Sequence, residues 1–383
     1  MVIFHLVEVY LRITETFIYN YICKSSENSK HKVYIISFSS ENRPLFPLPD
    51  NVEVIFLDKD VRRKRTLLDK ITRKIDTTPK WYDDFKTLLL KHKPGVVHCH
   101  FGTMGVLMND FVTTTSVKQK YVVSFYGADA GRLPELIPGY KEDLIKMWAT
   151  CNAVFCEGPF LKTTLVKLGA DTEKVFVNPI IIDTTKYPRR PFSKWSGVVK
   201  FLVIGRFIEK KGIHLFLTAI GKIKNNGFKD FEITLIGDGD LKSKYLDIIE
   251  EYHLNENVIF KGLLPLEQCK EFLLSHDALV HPSMEAQNKD TEGGAPTIIL
   301  ESQIVGLPVI TSDHADIPNV LGYTQFMCKE NDIESLVVAI ENFINSSSEE
   351  LQALEIAGRD FVIKNHSFSN SKYIELLGNV INE

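Results

Sequence analysis

The first half of the chain alternates short apolar, β-rich runs (VYIISF, VEVIFL, GVVHCHF, YVVSFYG, AVFCEG) with polar stretches of helical periodicity. Strand runs separated by helix-sized intervals predict a mostly parallel sheet with helices on both faces. After the Pro-rich, basic stretch NPIIIDTTKYPRRPFSKWSG the cycle restarts through VVKFLVIG, FEITLIGDG, NVIFKG, ALVHPS and LPVITS. The pattern therefore predicts two successive α/β units joined near residues 178–198, with domains at 1–190 and 191–365. The tail from His366, HSFSNSKYIELLGNVINE, reads as a terminal amphipathic helix over 366–383.

In open parallel sheets, ligands bind outside the carboxyl ends of the strands. In the first half those ends carry His98, His100, Phe101 and Gly102, then Tyr126, Gly127 and Asp129. In the second they carry Gly205, Arg206 and Lys211, then Gly237 and Gly239, then His281 to Ser283, and finally DTEGGAPTIILESQIVGLPV from Asp290 to Val309. In that last stretch Pro296 suits a first helical residue and Gly306 a stop. Glu301 then lies in the helix's second turn, with Ile298, Ile304, Thr297 and Val305 three and four positions away, on or beside a largely apolar face. A carboxylate there needs a partner.

Composition narrows the function classes. A chain of 383 residues, 44% hydrophobic and 25% charged, suggests two soluble domains. No apolar run approaches the length of a membrane-spanning helix. The N-terminal MVIFHLVEVYLRITETF lacks a basic leader and carries Glu8 within its apolar part, so a cytoplasmic location is expected. The six scattered cysteines read as reduced thiols. A net charge of -4 argues against a nucleic-acid partner. One local basic patch exists in residues 59–74, KDVRRKRTLLDKITRK, with eight Lys or Arg against two Asp. It suits either a solvated face or a peripheral contact with anionic lipid headgroups.

Three motifs bear on chemistry. In GRFIEKKG, Arg206 and Lys211 converge beside a helix start, which suits a diphosphate. GDGD at residues 237–240 fails as a dinucleotide fingerprint, because Lys242 stands where the third glycine is needed. His98 and His100 share a strand face, but the neighbouring sequence offers no third ligand, so no metal site is expected.

GRFIEKKG, LIGDGDLKSKYL, FKGLLPLEQCKEFL and HPSMEAQNKDTEGGAPTIILESQIVGLPVITSDHADIPNVL, in this order, resemble the donor half of retaining family 4 glycosyltransferases. These have the GT-B fold, two Rossmann-like domains facing across a cleft, and RITETFIYNYI, VVHCHFG, SFYGAD and NPIIIDTTKYP resemble their first half and linker. The resemblance implies transfer from a nucleotide-diphosphate sugar to a saccharide or lipid-linked saccharide acceptor in surface polysaccharide biosynthesis, such as capsule or exopolysaccharide. It also implies front-face attack with retention, no metal, and a terminal helix crossing back to the first domain. Donor contacts would come from Gly205, Arg206, Lys211, Gly237, Leu263, Gly293, Gly294, Ala295, Pro296, Thr297 and Glu301. Glu301 would take the ribose hydroxyls and Glu292 the sugar, with the base near Lys261 to Leu264. Thr14 and Glu15 would lie on the acceptor side.

Two departures stand out. The family spaces its paired glutamates with seven intervening residues, whereas Glu292 and Glu301 have eight. A loop bulge is expected to return Glu292 to place, with Asp290 and Glu285 as lesser candidates. Tyr126 stands where many relatives have histidine, so a base role falls to Tyr126 or to His100 at the neighbouring strand end, while Asp129 contacts the acceptor or orients a loop. A sugar-nucleotide epimerase, a phosphorylase and a non-catalytic sugar-nucleotide-binding subunit are the competing readings.

Overall fold

A computed structural model describes residues 1–12, 15–58, 79–294 and 296–382. The basic patch at 59–74, Thr14 and Ala295 lie outside the described residues. Among those described, the first sheet has seven strands: β1 (Val2–Tyr10), β2 (Lys32–Ser40), β3 (Val52–Phe56), β4 (Val96–His100), β5 (Tyr121–Phe125), β6 (Ala153–Cys156) and β7 (Val175–Val177). Their order is β3-β2-β1-β4-β5-β6-β7 and every pair is parallel. The second sheet has six: β8 (Val199–Ile204), β9 (Phe231–Ile236), β10 (Val258–Gly262), β11 (Ala278–His281), β12 (Val309–Ser312) and β13 (Met327–Cys328). It is ordered β10-β9-β8-β11-β12-β13, again parallel throughout.

The central strands β4, β5, β11 and β12 are buried along their whole length, which is why they read as continuous apolar runs rather than alternating ones. Each sheet reverses its winding once, between β1 and β4 in the first and between β8 and β11 in the second. Those reversals open crevices at the carboxyl ends of the strands.

The chain crosses between the halves twice, side by side. Ile182 bridges to Ser367, and the His366 Nδ1–H donates to the Ile180 carbonyl over 2.7 Å. The helix Tyr373–Asn382 then packs on the first sheet, burying Tyr373, Leu377 and Val380 against Ile3, Val96 and Val122. Each such apolar side chain contributes about 1.5–3 kcal/mol through burial. Lys120 Nζ donates to the carbonyls of Val380 and Ile381, placing a cation at the negative end of that helix. Arg190 of the basic linker is itself buried in the second half. It pairs with Glu355 at 2.5 Å and donates to the carbonyls of His276 and Gly306.

No helix among the described residues is long and apolar enough to cross a membrane.

Candidate active site

Of the residues expected on the donor side, Lys211 and Glu292 meet past the ends of β8 and β11. Past the end of β8, a short helical turn at Glu209–Lys211 brings two lysines against the loop that follows β11. Lys210 Nζ donates to Asp290 Oδ1 (3.0 Å) and to the Thr291 carbonyl (2.7 Å), and Glu209 accepts from the Gln287 backbone N–H (3.0 Å). The loop is thereby clamped so that Glu292 meets Lys211.

Lys211 Nζ lies 2.8 Å from Glu292 Oε1 and 3.0 Å from Oε2, and Ser283 Oγ donates to Oε1 at 2.7 Å. His281 Nε2 stands 3.6 Å away, too long for a hydrogen bond. The Glu292 side chain retains only 7% exposure. Burial works to raise its pKa, yet Lys211, backed by His281 and Lys210, holds it well below the usual carboxylate range. Burial likewise pushes Lys211 down, against the pull of Glu292. Arg206 is exposed at the rim. Of the three carboxylates considered for this position, Asp290 is held by Lys210 and Glu285 is exposed and paired with Lys289. Glu292 alone sits on Lys211.

The glycine loop turns at Gly293, which adopts a φ of 66° while the Gly294 N–H donates back to the Glu292 carbonyl at 2.6 Å. This is a three-residue turn in a conformation that glycine enters without steric cost. Pro296 then precedes the helix Thr297–Val305, and Gly306 closes it with a φ of 88°. Glu301 is buried on that helix and accepts a 2.9 Å hydrogen bond from the Tyr187 hydroxyl. It also lines a cavity of about 270 Å³, bounded by Thr16, Asn20, Lys186, Tyr187 and Lys270 among others. Gly237 packs against the Gly205 carbonyl with no space for a Cβ, so these two strand ends are locked together. Leu263 is 77% exposed beyond β10.

The loops of the two halves touch. A Cβ on Gly127 would stand 2.6 Å from the Gly293 Cα, and one on Gly293 would overlap the Gly127 Cα. A Cβ on Gly294 would collide with the Glu157 carboxylate. Nearby, Asp316 of the second half accepts from the backbone N–H groups of Phe160 (2.8 Å) and Leu161 (3.0 Å), capping the first-half helix Pro159–Lys167.

On the first-half side the sequence expectations shift. His100 is fully buried, with its ring nitrogens bonded to Tyr126 Oη (2.7 Å) and His5 Nδ1 (2.9 Å). It therefore reaches the cleft only through Tyr126, not as a free base. Asp129 is also buried and accepts from the backbone N–H groups of Gly102 (2.8 Å) and Tyr126 (3.0 Å). Burial lifts its pKa to about 6 against those hydrogen bonds. Of its two suggested roles, this geometry serves loop orientation. Glu15 is buried and paired with Arg12 at 3.2 Å.

The third ligand that the sequence around His98 and His100 did not offer comes from β1. The ring nitrogens of His5, His98 and His100 lie within 4.8 Å of one another. All six nitrogens already have protein partners: His5 reaches Ser25, and His98 reaches Ser124 and Tyr373. Ser25 donates to the Tyr21 carbonyl, so His5 Nε2–H donates to Ser25, His100 Nε2–H donates to His5, and Tyr126 O–H donates to His100. A metal ion would have to break this network, so the trio reads as a buried polar brace. Sequence reasoning missed His5, Tyr187, Glu157 and Asp316. A lone histidine, tyrosine or carboxylate with an unremarkable neighbourhood carries no signal of a partner far along the chain.

The model of the family described as "Glycosyl transferases group 1" matches residues 189–361. That match falls on the second parallel-sheet domain and covers a little under half of the chain. The amylovoran biosynthesis glycosyltransferase AmsK of Erwinia amylovora is 28% identical over 243 residues, 63% of this chain and 59% of that protein. The chain thus spans about three fifths of that relative's length. Among solved structures, the sucrose-phosphate synthase of Thermosynechococcus elongatus superimposes with a TM-score of 0.76 at 14% identity, over 100% of this chain and 98% of that one. Anabaena HepE, in complex with UDP and glucose, gives 0.74 at 15%, covering 98% and 99%. The two facing parallel-sheet domains are the GT-B glycosyltransferase fold.

Proposed function

We propose that this protein is a retaining glycosyltransferase of exopolysaccharide biosynthesis, transferring a sugar from a nucleotide-diphosphate sugar to an acceptor hydroxyl. The observation that carries the reading is the Lys211–Glu292 pair beside the N-terminus of the helix that bears Glu301, on the glycine loop that touches the other half.

In this reading Arg206, Lys211 and the Thr297 backbone N–H at the helix start neutralise the leaving diphosphate, a helix start and two cations doing the task that a metal performs elsewhere. Glu292 holds the sugar through its hydroxyls, and Glu301 accepts from the ribose. The acceptor oxygen attacks the anomeric carbon from the face of the departing diphosphate, and its proton passes to a leaving phosphate oxygen. The protein supplies position and charge rather than a nucleophile. Gly127 and Tyr126 bring the acceptor half to within van der Waals contact of the donor loop. The acceptor is a saccharide, lipid-linked in our reading, met at the cytoplasmic membrane face, with the basic residues 59–74 as the peripheral contact.

The test is a mass-spectrometric screen of sugar nucleotides with and without oligosaccharide acceptors, repeated in EDTA. Transfer with retained anomeric configuration, unaffected by chelation, supports the reading. A new sugar nucleotide formed without acceptor would indicate epimerisation, and binding without turnover in every mixture would indicate a non-catalytic subunit.

A further inference from the structure

Glu301 is a carboxylate with two differently used oxygens. Oε1 accepts from Tyr187, a residue of the connection between the halves rather than of the donor domain. The carboxylate also borders the 270 Å³ cavity, whose other walls come from the helix Thr16–Ser26, the segment Leu45 to Pro47, the connection at Asp183 to Tyr187, and the helix Leu266–Ser275. Tyr187 is itself held on two sides. Its ring packs in the apolar cluster with Ile180, Ile182, Cys269 and Leu273, and Lys270 Nζ lies 4.8 Å from the ring centroid. A hydroxyl anchored this way cannot follow the carboxylate if the latter rotates, so it fixes the plane of Glu301.

We propose that Tyr187 is a positioning residue for donor recognition: by donating to Oε1 it keeps Glu301 turned and ionised, leaving Oε2 to accept from the ribose hydroxyls of a nucleoside diphosphate. This rests on the assignment of Glu301 to the ribose. Both halves of a ribose diol are hydrogen-bond donors, so an ionised carboxylate is the complementary acceptor and a protonated one is not. The groups facing Glu301 are Tyr187, Lys270, Glu267 and Cys269, with Asp183 and Lys186 farther along the cavity wall. Burial raises the Glu301 pKa, and the Tyr187 hydrogen bond and Lys270 oppose it while Glu267 adds to it. Loss of the phenol hydroxyl therefore moves Glu301 further toward the neutral form, and the consequence grows as pH falls.

The experiment is calorimetric titration of the full chain and its Tyr187→Phe and Glu301→Gln variants with UDP and GDP, their 2′-deoxy forms, and inorganic pyrophosphate, at pH 8 and pH 6. The phenylalanine variant keeps the ring and its packing. Taking the nucleotide that the unmodified protein binds, Y187F weakens it by about tenfold at pH 8 and by more at pH 6. The Y187F penalty shrinks with the 2′-deoxy form, and pyrophosphate binds both proteins alike. Equal nucleotide affinity at both pH values, or an equal loss for pyrophosphate, overturns the inference. If E301Q weakens binding and Y187F does not, only the inference falls; if E301Q has no effect, the ribose assignment falls and takes the inference with it.

Discussion

Gly127 and Gly293, 166 positions apart in sequence, meet backbone against backbone across the cleft, and neither has room for a single carbon beyond its Cα. Both have positive φ, 109° and 66°. A methyl group on Gly293 would strain the turn by about 1–2 kcal/mol and force the two loops apart. Gly293→Ala is expected to lower kcat/KM at least about tenfold while the melting temperature falls only a few degrees, because the contact lies at the cleft and not in either core. Steady-state kinetics beside a thermal melt checks this.

Lys211 and Glu292 neutralise each other in a buried setting. Removing one partner leaves an uncompensated charge, which costs about 3–5 kcal/mol, whereas removing both costs less. Lys211→Met is therefore expected to destabilise strongly, and the double variant Lys211→Met, Glu292→Gln to regain much of that stability without regaining activity. Urea unfolding of the three proteins, with activity measured in parallel, distinguishes this coupling from two independent losses.

Asp129 gives a pH dependence of defined sign. Its folded pKa of about 6 lies above the unfolded value of about 3.9, so between those values the folded state binds the extra proton. Stability from this group is greatest below about pH 4 and falls as pH rises to 6, by about 3 kcal/mol in total. Melting curves of the protein and of Asp129→Asn over pH 4–7 check it: the difference between the two should move in the variant's favour as pH rises.

Asp316 joins the halves by capping a helix of the first with a carboxylate of the second. Asp316→Ala is expected to cost about 1–2 kcal/mol, the usual loss for an N-cap side chain. It should also widen the cleft, read as an increased radius of gyration in small-angle scattering. An unchanged radius would mean that the remaining contacts between the halves hold them together without this cap.

Much of the geometry around the glycine loop was legible because it is local. Pro296, Gly306 and the apolar run between them mark a helix, and that helix places Glu301 by counting turns. Strand ends mark Gly205, Gly237 and Ser283. The spacing of eight residues between Glu292 and Glu301 suggested a bulge, and the loop makes a three-residue turn at Gly293. What could not be read is non-local: that Tyr187 reaches Glu301, that His5 closes the ring of histidines, that Glu157 stands against Gly294. His100 shows the reverse error. Its strand end suggested exposure to the cleft, but β4 is buried along its whole length and the His100 ring is enclosed between His5 and Tyr126.

The central claim is that a nucleoside diphosphate lies between Lys211 and Glu301. Calorimetric titration of the protein and of Glu301→Gln against the diphosphates of uridine, guanosine, cytidine and adenosine tests it most directly. The account predicts binding of at least one, weakened on the order of 10–100-fold in the variant, as for loss of a charged hydrogen-bond acceptor. Equal affinity in the two proteins, or no binding of any of the four, would contradict it.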